Sequence, residues 1–125
     1  MVIIDTSILI DYLRRPKISS PFKKLVEQNK EERFSISILT VQELYAGKSS
    51  KEALKENFFL EIINKMDILP YTYKIAQLAG ELTRDYHKNL GFPDAAIAAT
   101  AILNKASLVT LNKKDFKEIK GLKLI

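Results

Sequence analysis

The chain begins with a short apolar run that ends at a carboxylate, Val2-Ile3-Ile4-Asp5, and this feature restricts the fold more than any other. An unbroken run rich in β-branched residues is typical of a strand that is buried on both faces, as in a parallel sheet. The apolar residues that follow recur at helical spacing, which predicts a helix with Thr6 or Ser7 as its N-cap. Asp5 should therefore lie at the carboxyl end of a central strand, the edge where open parallel α/β sheets bind ligands.

Strand and helix patterns alternate along the rest of the chain. The sequence predicts further strands over 34–37, 67–69, 107–110 and 122–124. Two helices are expected to start with a proline at the first or second position, at Ser20-Pro21 and at Phe92-Pro93. Three longer helices are expected from Thr40 to an αL Gly47, over 50–66, and from Ile75 to Gly91. A single helical turn is expected over 112–116. The alternation predicts an α/β fold, a three-layer α/β/α sandwich with a central, mainly parallel sheet. At 125 residues, we expect one domain spanning 1–125.

The composition favours a soluble protein with affinity for polyanions. Lys and Arg number 20 against 15 Asp and Glu, a net charge of +5. Such a balance favours a phosphate backbone, although most lysines of small basic proteins serve only solubility. The absence of cysteine excludes a disulfide framework and a thiolate metal site. Because no apolar run approaches the ~20 residues that span a bilayer, we expect a cytoplasmic protein with no membrane segment.

Four acidic residues are predicted near the carboxyl edge of the sheet: Asp5, Glu43, Asp94 and Asp115. Parallel strands share a direction, so segments that follow them meet at one edge. Asp94 follows no predicted strand, so the sheet argument supports its placement least. Each acid also has a purely structural explanation. Glu43 completes a Thr40-x-x-Glu43 capping box, and Asp94 and Asp115 suit a helix dipole, at ~0.3–1 kcal/mol each.

Asp5 is the acid that a structural explanation fits least. A carboxylate that ends a buried strand needs a partner, and no lysine or arginine lies near it in sequence. Converging acids repel one another unless a cation neutralises them, and an all-oxygen set selects Mg²⁺ or Mn²⁺ over zinc. Such a cation lowers the pKa of water and neutralises a phosphodiester. His87, the only histidine, is expected on the surface, since one histidine cannot supply an acid–base pair.

Four segments carry a resemblance to a known family. They are Val2-Ile3-Ile4-Asp5-Thr6-Ser7, Glu43-Leu44-Tyr45-x-Gly47, Pro93-Asp94-x-x-Ile97-Ala98-Ala99-Thr100-Ala101 and Leu108-Val109-Thr110-x-Asn112-x-x-Asp115-Phe116. In this order they resemble the signatures of PIN-domain nucleases, and the whole chain is most similar to the VapC-type toxins of bacterial and archaeal toxin–antitoxin pairs. The resemblance implies a Mg²⁺- or Mn²⁺-dependent endoribonuclease, the toxin of a type II system, in which water attacks the phosphorus and the 3′ oxygen leaves.

The resemblance also assigns roles by position. Asp5 and Asp94 match the main metal-binding acids, Glu43 the acid that completes the metal shell, and Asp115 the fourth, often water-mediated acid. The polar residues that orient these carboxylates match Thr6 or Ser7, Thr110 and Asn112. The basic residues that we expect to guide RNA are Arg14, Arg15, Lys113 and Lys114. The segment 90–93, Leu-Gly-Phe-Pro, lacks a second polar residue that many relatives carry, which points to altered substrate choice rather than altered catalysis.

The family resemblance further implies a VapB-type antitoxin partner and a homodimer. The wide apolar face of 54–66 suits such contacts, with burial against the sheet as an equal alternative. Three other functions stay open: a PIN-type RNA-processing nuclease outside a toxin–antitoxin pair, a non-catalytic RNA-binding module, and a phosphoacceptor receiver domain. The receiver domain needs an acidic pair on the first strand, where this chain offers only Asp5.

Overall fold

A parallel sheet forms the centre of the molecule, as the sequence predicts. The computed structural model describes residues 1–14, 20–47, 51–86 and 90–125. Within these ranges the strands are β1 (Val2–Ile4), β2 (Phe34–Ser37), β3 (Asp67–Leu69), β4 (Ser107–Val109) and β5 (Lys123–Leu124). Their order is β3-β2-β1-β4-β5, and every neighbouring pair is parallel. The strand that ends before Asp5 is therefore the central one.

Helices cover both faces of this sheet. In the described ranges they are α1 (Thr6–Arg14), α2 (Pro21–Gln28), α3 (Ile38–Ala46), α4 (Ala53–Ile63), α5 (Tyr73–Asp85), α6 (Phe92–Leu103) and α7 (Lys113–Phe116). None of them is long and apolar enough to cross a bilayer.

Side chains of β1 alternate between two separate hydrophobic clusters. Ile3 packs with residues of α5, α6 and α7, whereas Val2 and Ile4 pack with residues of α1 to α4. All three side chains are almost fully buried. The small residues Ala95 to Ala101 of α6 are also buried, because short side chains allow the helix to approach the sheet closely. The predicted three-layer α/β/α sandwich is confirmed.

The starts of α1 and α3 differ from the sequence predictions. Helix α1 begins at Thr6 itself rather than after a Thr6 or Ser7 cap. Helix α3 begins at Ile38, two residues earlier than predicted, because the Ser37 hydroxyl caps it by accepting a hydrogen bond from the Leu39 N–H at 3.2 Å. Thr40 is consequently the third residue of the helix, within its first turn, and its side chain is fully buried.

Helix α3 ends at Gly47 as predicted but without the predicted αL conformation, and the predicted end of α5 at Gly91 is wrong. Gly47 ends α3 in an extended conformation, with φ −77° and ψ 157°, and its N–H donates to the Leu44 carbonyl. Helix α5 ends at Asp85 rather than at Gly91, because Tyr86 turns to an extended conformation and its hydroxyl accepts a hydrogen bond from the Lys120 N–H at 2.7 Å. His87 lies outside the described residues.

Helix α4 is shorter and less buried than predicted. It covers Ala53–Ile63 instead of 50–66, and Phe59 and Ile63 face the core. Leu54, expected on the apolar face, is 86% exposed. The apolar residues of this helix therefore do not all serve the core.

Candidate active site

Asp5 is held by two hydroxyl groups at the carboxyl edge of the sheet. Its side chain is 3% exposed, and Oδ2 accepts hydrogen bonds from Ser7 Oγ at 2.6 Å and Thr110 Oγ1 at 2.7 Å. Its main-chain N–H donates to the Val109 carbonyl, which extends the pairing of β1 with β4. The described hydrogen bonds of the carboxylate all reach Oδ2, so Oδ1 is the oxygen that a ligand can use.

The two hydroxyls are themselves oriented by the main chain after β4. The Leu111 N–H donates to Ser7 Oγ at 3.2 Å, and the Asn112 N–H donates to Thr110 Oγ1 at 3.0 Å. Because each hydroxyl accepts from a backbone group, its own hydrogen is directed at Asp5. Asn112, predicted to orient a carboxylate, does so here through its main-chain N–H and not through its exposed side chain.

Glu43 lies beside Asp5 and is held by a threonine pair. Thr6 Oγ1 donates to Glu43 Oε1 at 2.7 Å and lies at hydrogen-bonding distance, 3.0 Å, from Thr40 Oγ1. The pKa of Glu43 is raised, mainly by burial and further by the charge of Asp5, while the bond from Thr6 acts in the opposite direction. The capping-box explanation of Glu43 is wrong, since α3 is capped by Ser37 and the Glu43 carboxylate is bonded to Thr6.

Asp94 links all four acids electrostatically. It lies half-buried in the first turn of α6, and its pKa is raised to about 6. Burial is the largest cause, followed by the charges of Asp5, Asp115 and Glu43. Charges shift one another's pKa mainly at short range. The fold therefore brings the four predicted acids to one edge of the sheet, including Asp94, whose placement the sequence supported least.

The acids form an electrostatic cluster rather than a closed metal cage. Among the described residues, no three acidic or histidine side chains are positioned to ligate a single ion together. Asp115, in the short helix α7, is exposed. Carboxylates that face one another without a counter-charge repel, and this repulsion adds to burial, the larger cause, in raising the pKa of Asp94. The donor set contains only oxygen atoms and lacks positive charge, so it fits a hard divalent cation such as Mg²⁺ or Mn²⁺.

The predicted RNA-guiding residues that the structure describes lie at two places, Lys113 and Lys114 in α7 at this edge and Arg14 at the end of α1, eight residues after Thr6. Arg14 is exposed and lines a cleft of about 670 Å³ together with Ser7 and Leu111. Lys113 and Lys114 are exposed on α7, next to Asp115. Arg15 lies outside the described residues.

Thr40 is the site residue that the sequence interpretation missed. It was interpreted as a helix cap, whereas its buried hydroxyl supports Thr6, which in turn holds Glu43. The available signal was its spacing, because residues three apart on a helix share a face with each other. The same spacing is expected for a capping box and for a threonine that helps to hold Glu43 from the same helix face. The sequence alone therefore could not distinguish these two roles of Thr40.

The fold and the site together define a class: parallel α/β proteins that collect carboxylates from several chain segments at the carboxyl edge of the sheet. Within this class the sequence profile of the PIN domain matches residues 2–122. The chain belongs to the PIN domain family.

Two relatives that align with nearly the full length of the chain are both named as VapC ribonucleases. The chain is 33% identical to "Ribonuclease VapC1" of Rickettsia felis, with 99% of this chain and 94% of the relative aligned. It is 36% identical to "Ribonuclease VapC19" of Mycobacterium tuberculosis, with 93% and 92% aligned.

Solved structures that resemble this fold are toxin–antitoxin complexes. One is VapBC2 from Rickettsia felis bound to a DNA fragment from their promoter, with TM-score 0.84, 26% identity, and 100% of this chain and 98% of the other covered. Another is a toxin–antitoxin complex from Klebsiella pneumoniae, with TM-score 0.78, 29% identity, and coverage of 100% and 96%.

Proposed function

We propose that this chain is an endoribonuclease of the VapC type, the toxin of a type II toxin–antitoxin system, and that it hydrolyses RNA phosphodiesters at the four acids. The observation that carries the proposal is the convergence of the cluster, in which Asp94 is under the influence of Asp5, Glu43 and Asp115. The names of relatives at 33% and 36% identity support the same activity.

Asp5 and Asp94 are the residues that would hold Mg²⁺ or Mn²⁺, with Glu43 completing the set and Asp115 in support. Such a cation, when bound, neutralises charge on the phosphate and lowers the pKa of water. The hydroxyls of Ser7 and Thr110 fix Asp5 through Oδ2, so that Oδ1 keeps one direction. In the hydrolysis, water attacks the phosphorus in line and the 3′ oxygen leaves, which gives a 5′-phosphate and a 3′-hydroxyl.

Cleavage by carboxamide variants tests this function. Asp5→Asn and Asp94→Asn each remove a charge from the cluster without changing side-chain size, and we expect a loss of RNA cleavage of at least about 100-fold. Asp67→Asn is the matched control, because Asp67 pairs with Arg33 at the start of β3 and does not act on Asp94. The measurement is cleavage of a defined RNA with Mg²⁺ or Mn²⁺ against chelator, with the new ends mapped. Unchanged cleavage by Asp94→Asn contradicts the proposal.

An antitoxin is the protein partner that the toxin–antitoxin complexes favour. On this chain, we place it in an apolar groove of about 500 Å³ formed by α1, α2, α4 and β2. Its floor contains Tyr12, Phe22 and Ile62, and lysine and glutamate side chains line its rim. This arrangement suits an amphipathic helix, whose apolar face fills the groove while its polar residues meet the rim.

A charge placed in the groove tests the antitoxin position. Val26 lines the groove and is 37% exposed, so Val26→Glu should weaken co-purification with the product of the neighbouring gene without unfolding the chain. Leu103→Glu is the control, because Leu103 is 45% exposed at the end of α6 and lies outside the groove. Equal co-purification of the two variants contradicts this position.

We also propose that the chain forms a homodimer. Exposed apolar side chains on two helices, Leu54 of α4 and Tyr73 of α5, support a further protein contact. Light scattering coupled to size exclusion should give twice the 14.2 kDa of one chain. A mass of one chain at all concentrations contradicts the dimer but leaves the nuclease unaffected.

A further inference from the structure

The first residue of α6 exposes an aromatic ring beside the acids. Phe92 is 64% exposed, although phenylalanine is usually among the most buried residue types. Three other segments at this edge also expose a large hydrophobic side chain, Ile38 after β2 at 40%, Tyr73 after β3 at 85% and Leu111 after Thr110 at 47%. Of the two aromatic residues, Phe92 and Tyr73, only Phe92 shares a helix with one of the acids, two positions before Asp94.

The ring is held in place from one side. Tyr71, half-buried in the core, contacts Phe92 at a centroid distance of 6.2 Å and an interplanar angle of 62°. In this near edge-to-face arrangement, Tyr71 uses at most one of the two faces of the Phe92 ring. Pro93 fixes the following backbone angle, which restricts the start of the helix. Phe92 is thus a positioned aromatic surface rather than a freely moving side chain.

The geometry of α6 separates the ring from the acid. Residues two apart on a helix do not face each other, so Phe92 and Asp94 leave the first turn on different sides. Their backbones differ by only ~3 Å along the helix axis. The ring is therefore close to Asp94 along the helix axis and does not cover its carboxylate.

We propose that Phe92 is a stacking platform for an unpaired nucleobase next to the scissile phosphate; the proposal rests on the ribonuclease function proposed above. Every base offers a π-face to an aromatic ring, whereas a base within a duplex is already stacked. The substrate is then RNA that is single-stranded at the cleavage site. Phe92 stands in the segment 90–93, Leu-Gly-Phe-Pro, which offers an aromatic ring but no polar side chain.

The charge distribution favours RNA over a protein side chain on this ring. Lys113 and Lys114 lie on the same edge of the sheet and attract a phosphate backbone. The exposed apolar side chains at this edge are single residues on separate segments that also carry acids or hydroxyls. A helix of a protein partner needs a continuous apolar surface, which the groove between α2 and α4 supplies instead.

A substitution series at Phe92 tests the proposal. Phe92→Leu keeps an apolar side chain but removes the π-face, so KM for RNA should rise roughly 10-fold with little change in kcat, the loss expected for one stacked base. Phe92→Trp should restore KM to the wild-type value or below it. Leu103→Ala is the matched control, because Leu103 is 45% exposed at the other end of the same helix. Equal melting temperatures establish that the variants are folded.

A spectroscopic measurement separates stacking from cleavage. In the Asp94→Asn background, which keeps the RNA intact, 2-aminopurine placed beside the cleavage site should lose fluorescence on binding. This quenching should persist with Phe92→Trp and disappear with Phe92→Leu. Unchanged KM together with unchanged quenching in Phe92→Leu overturns the stacking proposal and makes the ring a contact for a protein partner. If the wild-type chain cleaves no RNA, the nuclease proposal fails, while quenching that depends on Phe92 still supports stacking.

Discussion

A buried carboxylate costs free energy unless hydrogen bonds or a counter-charge compensate it, and Asp5 obtains its hydrogen bonds from Ser7 and Thr110. The Thr110 hydroxyl also accepts the Asn112 N–H, so one small side chain connects the end of β1 to the loop after β4. The same hydroxyl therefore contributes to stability and to the direction of Asp5 Oδ1.

Removal of this hydroxyl should affect both properties. Thr110→Val keeps the shape of the side chain but leaves a buried carboxylate oxygen and a backbone N–H without this partner, so the free energy of unfolding should fall by about 1–3 kcal/mol. RNA cleavage should fall as well. Denaturant unfolding gives the measurement, and Thr83→Val is the control, since the Thr83 hydroxyl donates to the Ala79 carbonyl of its own helix and its side chain is exposed. Equal losses in both variants would contradict the role of Thr110.

The pKa of Asp94 predicts a pH dependence of stability in the metal-free protein. Its folded pKa of about 6 lies above the usual 3.8, so the folded state binds the proton more tightly. The resulting stabilisation is complete below pH ~4 and is lost as the pH rises through about 6. Asp94→Asn mimics the protonated form, so in chelator it should melt a few degrees above the wild-type chain at pH 7.5 and close to it at pH 4.5.

Metal addition gives the complementary result. Mg²⁺ or Mn²⁺ should raise the melting temperature of the wild-type chain at pH 7.5, because a cation relieves the repulsion that Asp5, Asp115 and Glu43 exert on Asp94. Asp94→Asn should respond less. A difference between the two chains that does not change from pH 4.5 to 7.5 would contradict the assigned cause of the shift.

Among the elements, α6 shows most clearly how the sequence positions the site. Its alanines lie close to the sheet, and its first turn carries Phe92 and Asp94 at the carboxyl edge. The N-cap, Gly91, offers no side-chain hydrogen bond. The positive end of the helix dipole therefore faces the acids without a cap that neutralises it. Helix α6 thus places the carboxylate of Asp94 beside its own N-terminus and close to the other three acids.

In the neighbouring helix α5, Gly80 lies at a position where the structure does not require a glycine. A Cβ atom at Gly80 would meet no atom within 4 Å, and the backbone there is helical. Gly80→Ala should therefore raise the free energy of unfolding by about 0.5–1 kcal/mol, measured by denaturant unfolding. The matched control is Gly121→Ala, which should destabilise the chain because φ at Gly121 is +83°. Destabilisation by Gly80→Ala would show that α5 needs a small residue there.

On the scale of the whole molecule, acidic and basic charges are segregated. The chain has 20 basic and 15 acidic residues, and four of those acids lie in one cluster. The rest of the surface is accordingly more basic than the net charge of +5 suggests. Such a surface attracts RNA at long range, while the acidic cluster is suited to bind a cation.

This segregation predicts a salt dependence. KM for RNA should rise steeply with salt concentration, and Lys113→Gln with Lys114→Gln should reduce the log–log slope by about one to two. Lys23→Gln with Lys65→Gln is the control, since these lysines line the groove at the amino end of β2 and should leave the slope unchanged. Equal slopes for the two double variants would contradict a role of α7 in RNA binding.

Local patterns were sufficient for most of the fold. The bounds of β2 and β3 and the starts of α2 and α6 follow the predictions, because turn residues and proline act over a few positions. Ser20 caps α2 as predicted by accepting the Lys23 N–H. Helix ends were less predictable: α3 stops at Gly47 as predicted but with an extended glycine, and α5 stops early because Tyr86 is fixed by the distant Lys120, a contact that no local pattern contains.

The sequence alone determined that strands alternate with helices, that Asp5 ends a buried strand, and that the chain carries the PIN-type acids, because each of these depends on neighbouring residues. Only the tertiary structure decided which groups contact the acids. Thr6 donates a hydrogen bond to Glu43 and contacts Thr40, and Thr110 donates to Asp5, 105 positions away in the sequence. Such contacts depend on the order and register of the strands, because these decide which distant residues come close in space. The spacing of residues along the chain does not contain that information.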